Sequence, residues 1–284
     1  MKEGACFVEW RKLKNLIILI LLTVNGFLLV LVGIRRAESA RYERSALEQT
    51  VRVLEQGGIQ VDMEAIAAVD GLTPMTVERD VEREARLVSA LLDEELQGEN
   101  RRGGLYLYQG RLGEVSLRAG GELSADFPQD DHWKTDHPED HAAALLKKLG
   151  IEGVPAGQTD EGGDTVLRFT QRWNGAPVFS CEVEFIYRDG RLTALRGALL
   201  IAAEGTSETG QAALTLPTAL MRFSEEIGAT GDVCSAILAM EPGYRGAVQS
   251  LSGGLRLTPV WRVTTDTANY YLDCLTGTLT RVTE

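Results

Sequence analysis

Residues 16–34 read LIILILLTVNGFLLVLVGI, nineteen positions without a charged side chain. No other feature constrains the chain as strongly. At 1.5 Å per residue a helix of this length spans about 28 Å, close to the hydrocarbon thickness of a bilayer. A helix packed on the core of a soluble domain of this size keeps a polar face towards water. This run has none, and basic residues bracket it at both ends. A cleaved signal peptide has a shorter apolar region, about 7–15 residues, and a small-x-small cleavage site. Here the run ends in Gly33-Ile34-Arg35-Arg36, a poor site. The sequence therefore predicts a tail over residues 1–15 and a retained transmembrane helix over 16–34. Trp10, Arg11, Lys12 and Lys14 are the candidate anchoring residues at the near interface, the indole as an aromatic belt residue.

Lysines and arginines do not orient the span. Lys2, Arg11, Lys12 and Lys14 precede it, and Arg35, Arg36, Arg41 and Arg44 follow it, so the positive-inside rule gives a tie. A short tail inside and a large domain outside is the commoner arrangement. Asn25 sits near mid-span. An amide in hydrocarbon needs a hydrogen-bond partner. One on another helix contributes about 0.6–2 kcal/mol, and the alternative is bonding to its own backbone. Thr23, Gly26 and Gly33 add small or hydroxyl-bearing positions that permit close approach. Thr23, Asn25 and Gly26 are the candidate contacts with a partner helix.

The net charge of −12 is unevenly placed. Residues 1–36 carry an excess of four positive charges, so the remainder carries −16. Such a domain is repelled by nucleic acid and by anionic headgroups, which excludes nucleic-acid binding as its business. The four cysteines, Cys6, Cys181, Cys234 and Cys274, form no CxxC or other zinc spacing. Free buried thiols are expected, with one disulfide among the last three open if the domain is extracellular.

Beyond the span, hydrophobic periodicity predicts a helix over 37–56 stopped by Gly57-Gly58. Short strands follow at 59–61 and 74–79, then a helix over 81–92 and a hairpin over 104–123 turning at Gln109-Gly110. These make an α+β module over residues 35–125. Residues 125–136 are polar and contain Pro128, which places a boundary there. Pro138 opens the next helix, with Glu139 and Asp140 suited to its positive end and Gly150 after it. Residues 165–201 read as a three-stranded meander turning at Asn174-Gly175 and Asp189-Gly190. Val183, Phe185 and Tyr187 face its core, and Glu182, Glu184 and Arg188 face water. A helix over 216–227 starts at Thr215-Leu216-Pro217, and strands follow at 235–240, 256–264, 269–275 and 279–282. The two halves, 137–204 and 214–284, resemble each other. Ala176-Pro177-Val178-Phe179 recurs as Thr258-Pro259-Val260-Trp261, and residues 185–192 recur as 272–279 with an extra turn at 266–268 between the matches. Each half is one helix on an antiparallel sheet, and the two are expected to pack together.

All three histidines, His132, His137 and His141, lie in one stretch with several acids. A closed metal site needs four well-directed ligands, and Pro138 interrupts the shared helical face of His137 and His141. A solvated connection is the simpler reading, and no metal or cofactor is expected. No Gly-rich phosphate loop, HExxH or GxSxG occurs, so the chain is not expected to be an enzyme.

Three stretches resemble the YycI family of membrane-anchored regulators. They are Glu9-Trp10-Arg11-Lys12-Leu13-Lys14-Asn15 running into Val24-Asn25-Gly26-Phe27-Leu28-Leu29, then residues 166–179, and then Leu257-Thr258-Pro259-Val260-Trp261-Arg262-Val263 with residues 270–277. The last, a Pro-x-Trp strand followed by an aromatic-Asp hairpin, is also similar to PepSY-type modules. The resemblance implies an α+β fold. One N-terminal transmembrane helix precedes extracytoplasmic helix-plus-antiparallel-sheet modules, the last two being PepSY/cystatin-like repeats. It also implies an extracytoplasmic domain on the cell membrane of a Gram-positive bacterium, a YycH-like sister protein, and a WalK/YycG-like sensor histidine kinase as partner. Regulation would run through transmembrane helix contacts and control cell-wall metabolism. A different class of function, binding or inhibiting a peptidase or cell-wall enzyme, is suggested by the PepSY-like repeats.

Overall fold

The computed structural model describes residues 4–67, 71–128, 131–208, 213–248 and 254–282. Side chains at 4–9, 11, 12, 36–40, 161, 203 and 204 lie outside the description. The chain divides into two units, residues 1–58 and 59–284.

The first unit is one helix, α1 (Gly4–Gln56), of 53 residues and so about 80 Å long. The two helices expected over 16–34 and 37–56 are thus continuous. The cause is local: residues 34–56 contain neither Gly nor Pro to interrupt the hydrogen-bond ladder. Within α1, Leu13–Arg35 is long and apolar enough to cross a membrane, with a mean hydropathy of 2.8. Gly57-Gly58 ends the helix. Gly58 takes φ of +88°, and its N–H donates to the Glu55 carbonyl at 3.0 Å, a left-handed termination that favours glycine.

The second unit is mixed α and β, and rich in sheet. Its first half contains β1 (Gln60–Val61), β2 (Met75–Arg79), α2 (Val81–Leu92), β3 (Glu99–Arg101), β4 (Leu105–Gly110), β5 (Gly113–Arg118) and β6 (Glu122–Asp126). A helix and four strands follow: α3 (Pro138–Lys148), β7 (Gly153–Glu161), β8 (Asp164–Trp173), β9 (Ala176–Arg188) and β10 (Arg191–Ala198). After β11 (Ala202–Ser207) the pattern returns as α4 (Leu216–Thr230), β12 (Ala236–Val248), β13 (Leu255–Thr265), β14 (Asn269–Asp273) and β15 (Leu279–Arg281).

Two antiparallel arrays result. The first runs β3-β4-β5-β6-β10-β9-β8-β7. The second runs β15-β14-β13-β12, with β13 also pairing β2 through Leu255–Leu257, and β2 pairing β11. They meet where Val178 of β9 pairs in parallel with Tyr244 of β12.

The boundary expected over 125–136 does not separate two bodies. β6 pairs with β10 from Asp126↔Ala194 to Glu122↔Ala198. α2, β4–β6, α3 and β8–β10 feed one continuous core that includes Leu91, Val115, Leu146 and Phe185. The connection contributes Phe127 and Trp133 to that core, and the strands on either side close edge to edge, since an open sheet edge leaves backbone groups unpaired. Residues 35–56 also belong with the helical unit rather than with the 59–125 strands.

The repeat is visible in element order: a helix followed by a four-stranded antiparallel meander, twice. Counted this way, the turn at 266–268 is the counterpart of Asn174-Gly175 and not an addition. Ala176–Phe179 opens the third strand of its meander, whereas Thr258–Trp261 lies within the second strand of the other. The match of 185–192 with 272–279 keeps its place, across the third turn of each.

Candidate functional site

Three places carry polar chemistry that packing alone does not require. The first is the apolar helix. Thr23 Oγ1 donates to the Leu19 carbonyl at 2.8 Å, and Asn25 Nδ2 donates to the Leu21 carbonyl at 3.0 Å. Both side chains therefore bond one turn back along α1, which satisfies one donor of each. The Asn25 carbonyl oxygen and second N–H remain for another group. At 100° per residue, Thr23 and Gly26 lie on one side of the helix while Asn25 points about 160° from Thr23. The three expected contact residues are thus not one stripe. A Cβ on Gly26 would meet nothing within 4 Å. Trp10 and Lys14 are exposed, and the side chains of Arg11 and Lys12 lie outside the described residues.

The second place is the histidine-bearing connection. A short 3-10 turn, Asp131–Trp133, drives Trp133 into the core at 3% exposure, where its Nε1 donates to the Leu112 carbonyl at 3.2 Å. His137 is the residue before α3. His141, in the first turn, has Nδ1 2.9 Å from the Tyr187 hydroxyl. Burial, with a smaller effect from His132, lowers the His141 pKa. Among the described residues no group of three or more His, Cys, Asp or Glu converges.

The third place is the outer face of the second meander, opposite the buried face that carries Tyr270 against Phe223 of α4. A ladder of side chains crosses it. Glu241 pairs with Arg262 at 2.7 Å, and Arg262 lies 4.6 Å above the Phe179 ring. Phe179 is 5.6 Å from Tyr271, and Arg245 lies 4.9 Å above Tyr271. Phe179 reaches this face from β9 because Gly243 leaves room. A Cβ there would come within 2.6 Å of the ring and of the Pro177 carbonyl. Beside the ladder lies an open groove of about 420 Å³ lined by Arg245, Thr258, Tyr271, Asp273, Thr278 and Thr280. The Asp273 carboxylate accepts the N–H groups of Leu275 and Thr276, so it shapes the turn. Strand alternation could have placed Glu241, Arg245 and Arg262 on one face. Nothing in the sequence signals that Phe179 reaches this face from the other array.

The paired acids Glu182 and Glu184 occupy the wet side of β9, and Glu184 pairs with Arg168 at 2.8 Å. Cys181, Cys234 and Cys274 are free thiols.

No family model matches the sequence. Over 70 residues, 25% of its length, the chain is 34% identical to the thermolysins of Alicyclobacillus acidocaldarius and Bacillus caldolyticus. It spans 13% of the length of those relatives. Among solved structures it is similar to an uncharacterized protein from Eubacterium rectale, with a TM-score of 0.49 and 13% identity over 79% of this chain and 90% of that one. It is also similar to the Bacillus megaterium YpeB C-terminal domain, with a TM-score of 0.39 and 12% identity over 73% and 100%.

Proposed function

We propose that this chain is a membrane-anchored, non-enzymatic accessory regulator of the YycI type, with its sheet-rich unit outside the cell. Its partners are a YycH-like sister protein and a WalK/YycG-like sensor histidine kinase, and its output is the control of cell-wall metabolism. The observation that carries the reading is the apolar stretch of α1 with a polar amide at its middle. Asn25 spends one N–H on the Leu21 carbonyl and keeps an acceptor and a second donor for a neighbouring helix. The test is Asn25→Leu in the full chain, reading kinase-dependent transcription and co-purification of the kinase. Both are expected to change. Unchanged values for both remove the helix-contact reading.

The likeness to thermolysins over 70 residues favours a second reading, in which the helix-plus-meander units are PepSY-like modules that bind or inhibit a peptidase. The discriminating measurement is peptidase activity with added full chain in detergent. Inhibition that survives Asn25→Leu supports this reading, and no effect on any thermolysin-like peptidase removes it.

A further inference from the structure

His141 and Tyr187 face each other across the junction of α3 with β9. Tyr187 is 1% exposed, and burial holds its phenol protonated far above neutral pH. Nδ1 of His141 lies 2.9 Å from that hydroxyl, and because the buried phenol proton has no other acceptor among the described residues, we assign the phenol as donor and the imidazole as acceptor. This assignment requires a neutral ring with its proton on Nε2. The rest of the surroundings is aromatic. Trp133 lies edge-on to both imidazoles, with ring centroids 4.8 Å from His132 and 6.4 Å from His141. Phe127 lies 4.3 Å from Trp133. The cluster therefore ties the connection after β6 to the β4–β5 turn through Leu112, and to α3 and β9 through His141 and Tyr187.

We propose that His141 and Tyr187 form a pH-sensitive clasp, holding residues 131–137 and α3 against the sheet at neutral pH and loosening both on acidification. Protonation makes Nδ1 a donor, so the phenol must turn to accept, and its own proton, on a hydroxyl that is buried and bonded to no other group among the described residues, loses its acceptor. The new charge lies in a half-buried aromatic site, at the positive end of the α3 dipole. It also faces the second imidazole, His132, whose effect on His141 is repulsive. The charged groups on the packed elements are few. α3 carries Glu139 and Asp140 in its first turn, and His137 precedes them. The connection carries Asp131, Lys134 and Asp136, the β4–β5 turn carries Arg111, β9 ends in Arg188, and Arg191 of β10 is engaged with Asp131 at 3.3 Å. Because the folded pKa is lowered, the unfolded or opened state takes up the proton first. The clasp is therefore intact above about pH 6.5 and is lost as the pH falls through the lower folded value.

The test is hydrogen exchange, corrected for intrinsic rates, on the full chain in detergent micelles at pH 7.5 and 5.0. Amides of 131–148 are expected to exchange at least tenfold faster at the lower pH, while β12–β14 stay unchanged. In His141→Asn, whose side-chain oxygen accepts without titrating, the two pH values should give the same protection. Equal acceleration in that variant overturns the proposal. Histidine-selective NMR of the full chain is the second measurement, with three resonances to assign. His141 should titrate below 6.5, and Tyr187→Phe, which removes the donor to neutral Nδ1, should move it upward. Titration of wild-type His141 at or above 6.5 overturns the proposal irrespective of how either variant folds.

Discussion

Arg79 and Glu84 form a bidentate ion pair inside the sheet-rich unit, between the last residue of β2 and the first turn of α2. Arg79 Nε donates to Glu84 Oε1 at 2.6 Å, and Nη2 donates to Oε2. Glu84 is 3% exposed, and the guanidinium lies 4.2 Å above the Tyr106 ring. A buried pair of this kind stabilises little over apolar replacements, but removing one partner strands the other charge. Glu84→Ala should cost about 3–5 kcal/mol in urea unfolding. The double replacement Arg79→Met with Glu84→Leu should recover most of that loss. A double variant as unstable as the single one would show that packing around Arg79, rather than its charge, sets the cost.

Gly243 is where the two arrays touch. A methyl group there meets the Phe179 ring and the Pro177 carbonyl, both at 2.6 Å. The carbonyl is backbone and cannot swing aside. Gly243→Ala should lower stability by about 1–3 kcal/mol, the usual cost of overpacking. Trimming the ring as well, with Phe179→Ala, should not restore it. Thermal unfolding of the two variants checks both statements.

Asp266 pins the β13–β14 turn to the start of β12 by accepting the N–H groups of Ser235 and Ala236 at 3.1 and 3.2 Å, and the Ser235 hydroxyl. The Ser235 hydroxyl above all holds its pKa below the ordinary carboxylate value. A depressed folded pKa means that the unfolded chain protonates first on acidification. The stabilisation is therefore present above about pH 4 and fades as the pH falls through the folded value. Asp266→Ala should lower the melting temperature at pH 7, and the gap to wild type should close towards pH 2.

The thiols should differ in reactivity. Burial pushes Cys181 up to about 11 and Cys274 up to about 12, and the thiolate is the reactive form. Cys234 is half-buried, and burial with the nearby Asp266 carboxylate raises it too. Iodoacetamide at pH 8 should label Cys234 first among the three, and Cys181 and Cys274 only after denaturation. Peptide mapping by mass spectrometry reads the order directly.

Local chemistry was legible where one or two side chains decide an element. α2 runs from Val81 to Leu92 as expected, because Asp80 caps it by accepting the Arg83 N–H at 2.9 Å. Asp189-Gly190 turns the meander with both residues at positive φ, as that dipeptide favours. Strands β3, β7 and β11 are not legible in the sequence because they lack apolar alternation. β7 is an outer strand interrupted by Pro155 and a register shift, and such edges carry little hydrophobic signal. The hairpin expected at Gln109-Gly110 turns two residues later, at Arg111-Leu112, where the large apolar Leu112 side chain is buried. Among candidate site residues, the histidine stretch is visible in the sequence, but strand alternation marks its partner Tyr187 only as core. The aromatic ladder depends on Phe179 crossing between arrays, which no local pattern encodes.

The pairing of Asp126 with Ala194 has a consequence for how this protein is made. Strands β3–β6 leave the ribosome first, yet the partner for the free edge of β6 arrives only with β10, some seventy residues later. At a synthesis rate of about 5–20 residues per second, that edge stands open for several seconds. A nascent chain in this state offers Leu123 and Ala125, both buried in the finished core, beside unpaired backbone groups. Its most dangerous neighbours are other copies emerging from the same polysome.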